Sequence, residues 1–145
     1  MSVIVWDGTK LAADRQATSG NLARTTTKIF RHGDILFGGA GTHTALEALR
    51  EWVLDGCKKD KFPKLPDLDN NVPHLWVINR NGTVLKFEDS PYPIAYHDKT
   101  FAEGSGRDFA YGALEMGADA VRAVEVAIKF DVHCGGGVDV LSFDD

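Results

Sequence analysis

The chain commits to a sheet almost at its first residue. It opens MSVIVWDGTKLAADRQAT, where an apolar run from Val3 to Trp6 meets Asp7-Gly8-Thr9 and a second run, Lys10 to Asp14, follows. An Asp-Gly pair between two such runs is a hairpin signal. Chain termini ordinarily fray. A terminus built straight into a hairpin fixes where the rest of the sheet must grow. It also asks what Ser2, one residue before the first strand, is for.

Beyond Asp14 the chain reads as strands grouped around helices. Gln16 to Thr27 is polar and small, with Ser19-Gly20-Asn21 as a loop signal, so a loop is expected there. Thr26 to His32 resumes strand character, placing Lys28 within a strand. Gly33-Asp34 turns it, and Ile35 to Phe37 runs into Gly38-Gly39-Ala40-Gly41. THTALEALREWVLDG then carries Leu46, Leu49, Trp52 and Val53 at helical spacing, with Thr42 or Thr44 as the cap and Gly56 as the stop. CKKDKFPKLPDLDNNVP, residues 57–73, is charged and proline-bearing and reads as a loop.

LWVINRNGTVLKFE is a hairpin with Asn81-Gly82 at its turn, and Ser90 to Lys99 reads as an irregular crossing. Phe101 to Glu103 is a short strand. Two helices follow, RDFAYGALEMG and DAVRAVEVAIKFD, the second capped by Asp119. Gly135-Gly136-Gly137 breaks the chain before a last strand, Val138 to Phe143. Without regular βαβ alternation the expected class is α+β. Two antiparallel sheets packed face to face with helices outside, a four-layer αββα sandwich, would use every element. Residues 1–145 read as one domain, with no internal repeat and no linker.

Composition narrows the function. The net charge is −5 and the basic residues are scattered, which argues against a nucleic-acid footprint. No apolar stretch approaches the roughly 20 residues that cross a bilayer. No leader-like segment precedes the first strand, so a cytoplasmic setting is expected. Cys57 and Cys134 form no CxxC pair, and the five histidines lack metal-ligand spacing. No cofactor and no metal are expected.

Chemistry is left to hydroxyls, carboxylates, one lysine and backbone amides. An internal Ser needs a neighbouring base to act as a nucleophile, and no GxSxG elbow is present. Removal of Met1 would leave Ser2 with a free α-amine beside its hydroxyl. Such an amine has a pKa of about 7.7–8.0, near working pH, so one residue supplies nucleophile and base. The bland reading is that Ser2 is a common second residue. Asp14 and Lys28 can tune a nearby hydroxyl or amine. Gly38 and its neighbours can offer N–H groups to an oxyanion. Ser105 can cap a helix or join a site.

Together these segments resemble the proteasome β-type subunits and the related HslV peptidase, in the short version found in bacteria and phages. These are N-terminal nucleophile hydrolases. The resemblance is carried in order by LAADRQAT, TTKIF, LFGGAGTHTALEAL, FAEGSGRDFAYGALE and FDVHCGGGVDVLSF, and it spans nearly the whole chain. It implies Ser2 as the nucleophile in place of the usual Thr, and Asp14 and Lys28 as the paired acid and lysine. It implies Gly38 as an oxyanion donor, with Ser105 and Asp131 hydrogen-bonding around the N-terminal amine. Cys134 stands where the family often has Ser. Residues 57–73 replace what is usually a second long outer helix.

The function expected from the resemblance is a peptidase subunit. Its substrates would be peptides or unfolded proteins, its assembly a homo-oligomeric ring, and a partner ATPase unfoldase is a further implication. The alternatives are a non-catalytic ring or scaffold subunit and an amidase for small molecules.

Overall fold

The computed structural model describes residues 3–65 and 71–144. Met1, Ser2 and residues 66–70, the middle of the proline-bearing loop, lie outside the described residues. The opening hairpin forms as its sequence dictates: β1 is Ile4–Trp6 and β2 is Lys10–Asp14, paired antiparallel. Asp7 makes the turn. Its Oδ1 accepts the amides of Thr9 at 2.8 Å and Lys10 at 2.7 Å, while Gly8 takes a φ of +96°. Its Oδ2 accepts the Ala120 amide at 2.8 Å, at the start of a distant helix.

Gln16–Ser19 and Leu22–Thr25 form β3 and β4, a separate two-stranded ribbon. This corrects the expected loop. The ribbon leaves six of its eight residues exposed, and Leu22 to Thr25 are exposed without interruption. It therefore carries no alternation of apolar and polar residues from which to read a strand. The next strands are β5, Ile29–His32, and β6, Ile35–Ala40, so Lys28 stands one residue before β5 rather than inside it. Then come helix α1, His43–Leu54, and the hairpin of β7, His74–Asn79, with β8, Val84–Phe87.

Ile94–Tyr96 forms β9, a three-residue edge strand within the expected irregular crossing. It follows Pro91 and Pro93 directly, and proline is tolerated beside an edge strand but weakens its signature. The chain closes with β10, Phe101–Glu103, helices α2, Arg107–Glu115, and α3, Ala120–Phe130, and β11, Val138–Ser142.

Two sheets result. One has the order β10-β1-β2-β11 and the other β5-β6-β7-β8-β9, with every pairing antiparallel. Between them pack Ile4, Trp6, Leu11 and Ala13 from the first sheet against Ile29, Leu36, Trp76, Ile78 and Val84 from the second. On the first sheet's other face, Val3, Val5 and Ala12 meet the alanines of α2 and α3. Both faces of β1 and β2 are thus buried, which is why VIVW and LAA are continuous apolar runs. Each fully buried Val, Leu or Ile contributes about 1.5–3 kcal/mol relative to exposure.

The second sheet's outer face is covered by α1 and by Phe62 and Leu65 of the following loop. Trp52 ties that loop down by donating Nε1–H to the Lys58 carbonyl at 2.8 Å. The architecture is the αββα sandwich, with two helices on one side and one on the other. Asp119 caps α3 as expected, accepting the Arg122 amide at 2.8 Å. Thr42 has the extended backbone of an N-cap but makes no capping bond, and α2 is preceded by Gly106 instead of a capping Ser105.

Candidate active site

Asp14 ends β2 with no exposed surface. A buried carboxylate needs partners for both oxygens, and Asp14 has them. Its Oδ1 accepts the Val3 amide at 3.1 Å and Lys28 Nζ at 2.8 Å. Its Oδ2 accepts the Gly135 amide at 3.0 Å and the Gln16 amide at 3.3 Å. The Asp14 amide in turn donates to the Val3 carbonyl at 3.2 Å. Val3 is therefore gripped at both backbone groups, one peptide bond from Ser2.

Lys28 is 10% exposed at its side chain. Burial pushes its ammonium below the ordinary lysine range, against the opposing pull of the Asp14 hydrogen bond and charge. A second network lies at the end of α3. Asp131 Oδ1 accepts the His133 amide at 2.9 Å, and its Oδ2 faces Cys134 Sγ at 3.5 Å. Burial draws the Asp131 carboxyl up. Hydrogen bonds from the His133 amide, Ser105 and Cys134, with the charge of His133, outweigh it and leave the group below its usual range. The Cys134 thiol is pushed up to about 12 by burial first and by the charges of Asp14 and Asp131 after it. It stays protonated at working pH and is no thiolate nucleophile.

The two networks join through the 131–135 loop, since Cys134 bonds Asp131 and the next amide bonds Asp14. Gly106 completes the closure. A Cβ there would lie 2.9 Å from Ala127 Cβ, 3.0 Å from Cys134 Sγ and 3.2 Å from Val3 Cβ, so only glycine lets α2 start this close to the first strand.

A cavity of about 390 Å³ opens beside Lys28, walled by Gly38 to Gly41, Phe30 and Leu46. The Arg50 guanidinium closes one side, 3.7 Å from the Phe30 ring centroid and held by both Glu47 oxygens at 2.7 and 2.8 Å. A second cavity, about 450 Å³, shares Ala40 and Gly41 with the first and is lined on its far side by Ser105, Glu103 and His74.

The structure thus brings Asp14, Lys28, Ser105 and Asp131 together. Ser2 lies outside the described residues. Gly38 is different. It sits inside β6, opposite Ile29 on one side and Trp76 on the other, so its N–H belongs to the sheet ladder. Its lack of a side chain makes room for Ile4, whose Cδ1 is 2.9 Å from where a Cβ would be. Gly41 lies just past the last ladder pair, with a φ of +130°, on the wall common to both cavities.

Two contributors escaped the sequence reading. The Gly135 amide lies in a run that breaks the chain and carries part of the resemblance, but it has no side chain to mark its contact with Asp14. Glu103 had a visible signal, a charge at the end of the otherwise apolar FAE strand. Among the described residues, no three His, Cys, Asp or Glu side chains are grouped as metal ligands. None of the described helices is long and apolar enough to cross a membrane.

Comparison with known proteins defines the class first. HslV from Trypanosoma brucei superposes with a TM-score of 0.68 at 22% identity, covering 97% of each chain. The Thiobacillus denitrificans protein BPH, solved in complex with epoxomicin, gives 0.66 at 20% identity over 99% of each. The fold is therefore that of HslV. No family model matches the chain. Proteasome subunit beta 1 of Thermococcus gammatolerans is 31% identical, the match covering 98% of this chain and 87% of that subunit. Its Thermococcus kodakarensis counterpart is 28% identical over 98% and 86%. The chain belongs to the proteasome β-subunit family.

Proposed function

We propose that the protein is a peptidase subunit that cleaves peptide bonds through Ser2, made N-terminal by removal of Met1. The observation that carries the reading is the grip of Asp14 on both Val3 and Lys28. It fixes the chain directly after Ser2 and sets a buried cation beside that point. Membership of a family whose members are named proteasome subunits supports the same reading.

The chemistry follows from groups of this chain. The Ser2 hydroxyl attacks the substrate carbonyl while its own α-amine takes the proton, acting near its pKa of about 7.7–8.0. The Lys28 ammonium favours the ionising hydroxyl by its charge. The amide at Gly41 receives the oxyanion, a role for which it is better sited than Gly38. The protonated amine then gives its proton to the leaving nitrogen as the carbon–nitrogen bond breaks, leaving a Ser2 ester. Water, deprotonated by the same amine, hydrolyses that ester and restores the serine. Asp131 and Ser105 hold the amine through hydrogen bonds. The cavity of Phe30, Leu46 and Arg50 takes the substrate side chain beside the cleaved bond, and the subunits assemble as a homo-oligomeric ring.

The test is intact mass joined to turnover. Protein lacking Met1 should hydrolyse a fluorogenic peptide amide, and Ser2→Ala should abolish this while leaving the native mass unchanged. Met-free protein inert to peptides and to inhibitors of N-terminal nucleophiles sinks the reading in favour of a scaffold subunit. That alternative expects assembly indifferent to both Ser2→Ala and Lys28→Ala.

A further inference from the structure

We propose that Glu103 is a positioning residue for Ser105, held in place by Trp76 and set against the ring of His74; the inference rests on the peptidase reading above. Glu103 closes β10 with a side chain only 13% exposed. Its two oxygens look in different directions. Oε2 accepts the Gly104 amide at 3.3 Å, at the residue that leads into Ser105. Oε1 accepts Trp76 Nε1–H at 3.4 Å and lies 3.5 Å from His74 Nδ1. Trp76 and His74 belong to β7 in the opposite sheet, so one carboxylate ties the Ser105 loop across the sandwich.

The loop is built to be held from both ends. Gly104 has a φ of +105°, a conformation that glycine alone adopts without strain. Gly106 is wedged against Val3 and Cys134. Ser105 sits between these two fixed points and bonds Asp131. Movement of Gly104 would pass directly to that bond.

His74 also reaches the opposite wall of the cleft. Its backbone pairs with Ala40, the residue before Gly41. One residue therefore meets the proposed oxyanion side through its main chain and the Ser105 side through its ring. Its Nδ1 is buried, without a hydrogen bond of good geometry, 3.3 Å from Glu88 Oε2 and 3.5 Å from Glu103 Oε1.

The test uses Met-free protein with Glu103→Gln and His74→Gln. Both variants should lose hydrogen-exchange protection at residues 104–107 several-fold while keeping wild-type circular dichroism. On a peptide amide, kcat should fall about tenfold with KM within about twofold, as expected when a positioned group shifts. Unchanged protection at 104–107 in a folded Glu103→Gln protein overturns the proposal. If Glu103→Gln does not fold, His74→Gln decides alone. If the wild type cleaves no peptide, the peptidase reading fails, and the exchange measurement still decides whether Glu103 holds the loop.

Discussion

Lys28 Nζ stands 2.8 Å from Asp14 Oδ1, and that same oxygen accepts the amide of Val3 at 3.1 Å. One atom therefore joins the fold's first strand to the charge the proposed chemistry needs. Asp14→Ala would leave a buried ammonium and three amides without their acceptor. The loss should be about 3–5 kcal/mol, the range for breaking one partner out of a buried ion pair. Denaturant unfolding at neutral pH measures it. A cost under about 1 kcal/mol would rank the pair with surface salt bridges instead.

Gly106 is argued from space alone. In Gly106→Ala the new methyl meets Ala127, Cys134 and Val3 at 2.9 to 3.2 Å. None of these can swing away as the end of a long side chain would. The overpacking should cost about 1–3 kcal/mol and lower peptide turnover, because the displaced start of α2 carries Ser105 with it. Gly112, in the same helix with nothing within 4 Å of a new Cβ, is the control. Gly112→Ala should stabilise by about 0.5–1 kcal/mol through helix propensity. If the two variants behave alike, the wedge has no energetic role.

The sequence made strands legible where burial left a pattern. VIVW and LAAD could be read because both faces of that hairpin are covered, so the apolar run is unbroken. LART could not, because its four residues all face solvent and their pairing with QATS is specified only by the turn. The same contrast holds in the site. Asp14 and Lys28 could be singled out as charges in or beside apolar strands. The Gly135 amide carries no side chain, and its contact with Asp14 spans 121 residues of sequence, which local reading does not see. Gly38 is the oxyanion donor that the resemblance implies, and the sequence around it is silent in a similar way. The run GGAG does not say where the ladder ends, and the pairing of Ala40 with His74 does.

Cys134 should make the protein sensitive to alkali. Its thiol keeps its proton up to about 12 in the folded chain, against 9.0 for an ordinary thiol. Between those values the folded state binds more protons than the unfolded one, so stability falls as pH rises through this window. Lys28, held below its ordinary range, works in the opposite sense. The comparison with Cys134→Ser isolates the thiol. Serine does not titrate there and can still donate to Asp131. Wild type should lose stability relative to Cys134→Ser as pH climbs from about 9 to about 11. Parallel curves for the two proteins would mean that the thiol is not held neutral by the fold.

A last expectation concerns the nucleophile. Serine lacks the methyl that restricts threonine to a few χ1 rotamers. In the proposed mechanism the hydroxyl must face the carbonyl while the amine on the same residue faces the hydroxyl proton. Fewer rotamers mean that more of the protein is poised at any moment. Ser2→Thr should therefore raise kcat several-fold and leave KM within about twofold, since the gain is in orientation and not in substrate contacts. Threonine is also small, so Met1 removal should persist, and intact mass checks it. Steady-state kinetics on one peptide amide gives the comparison. Equal kcat in two fully processed proteins would show that hydroxyl orientation does not limit this site, and would shift attention to the loop that Glu103 holds.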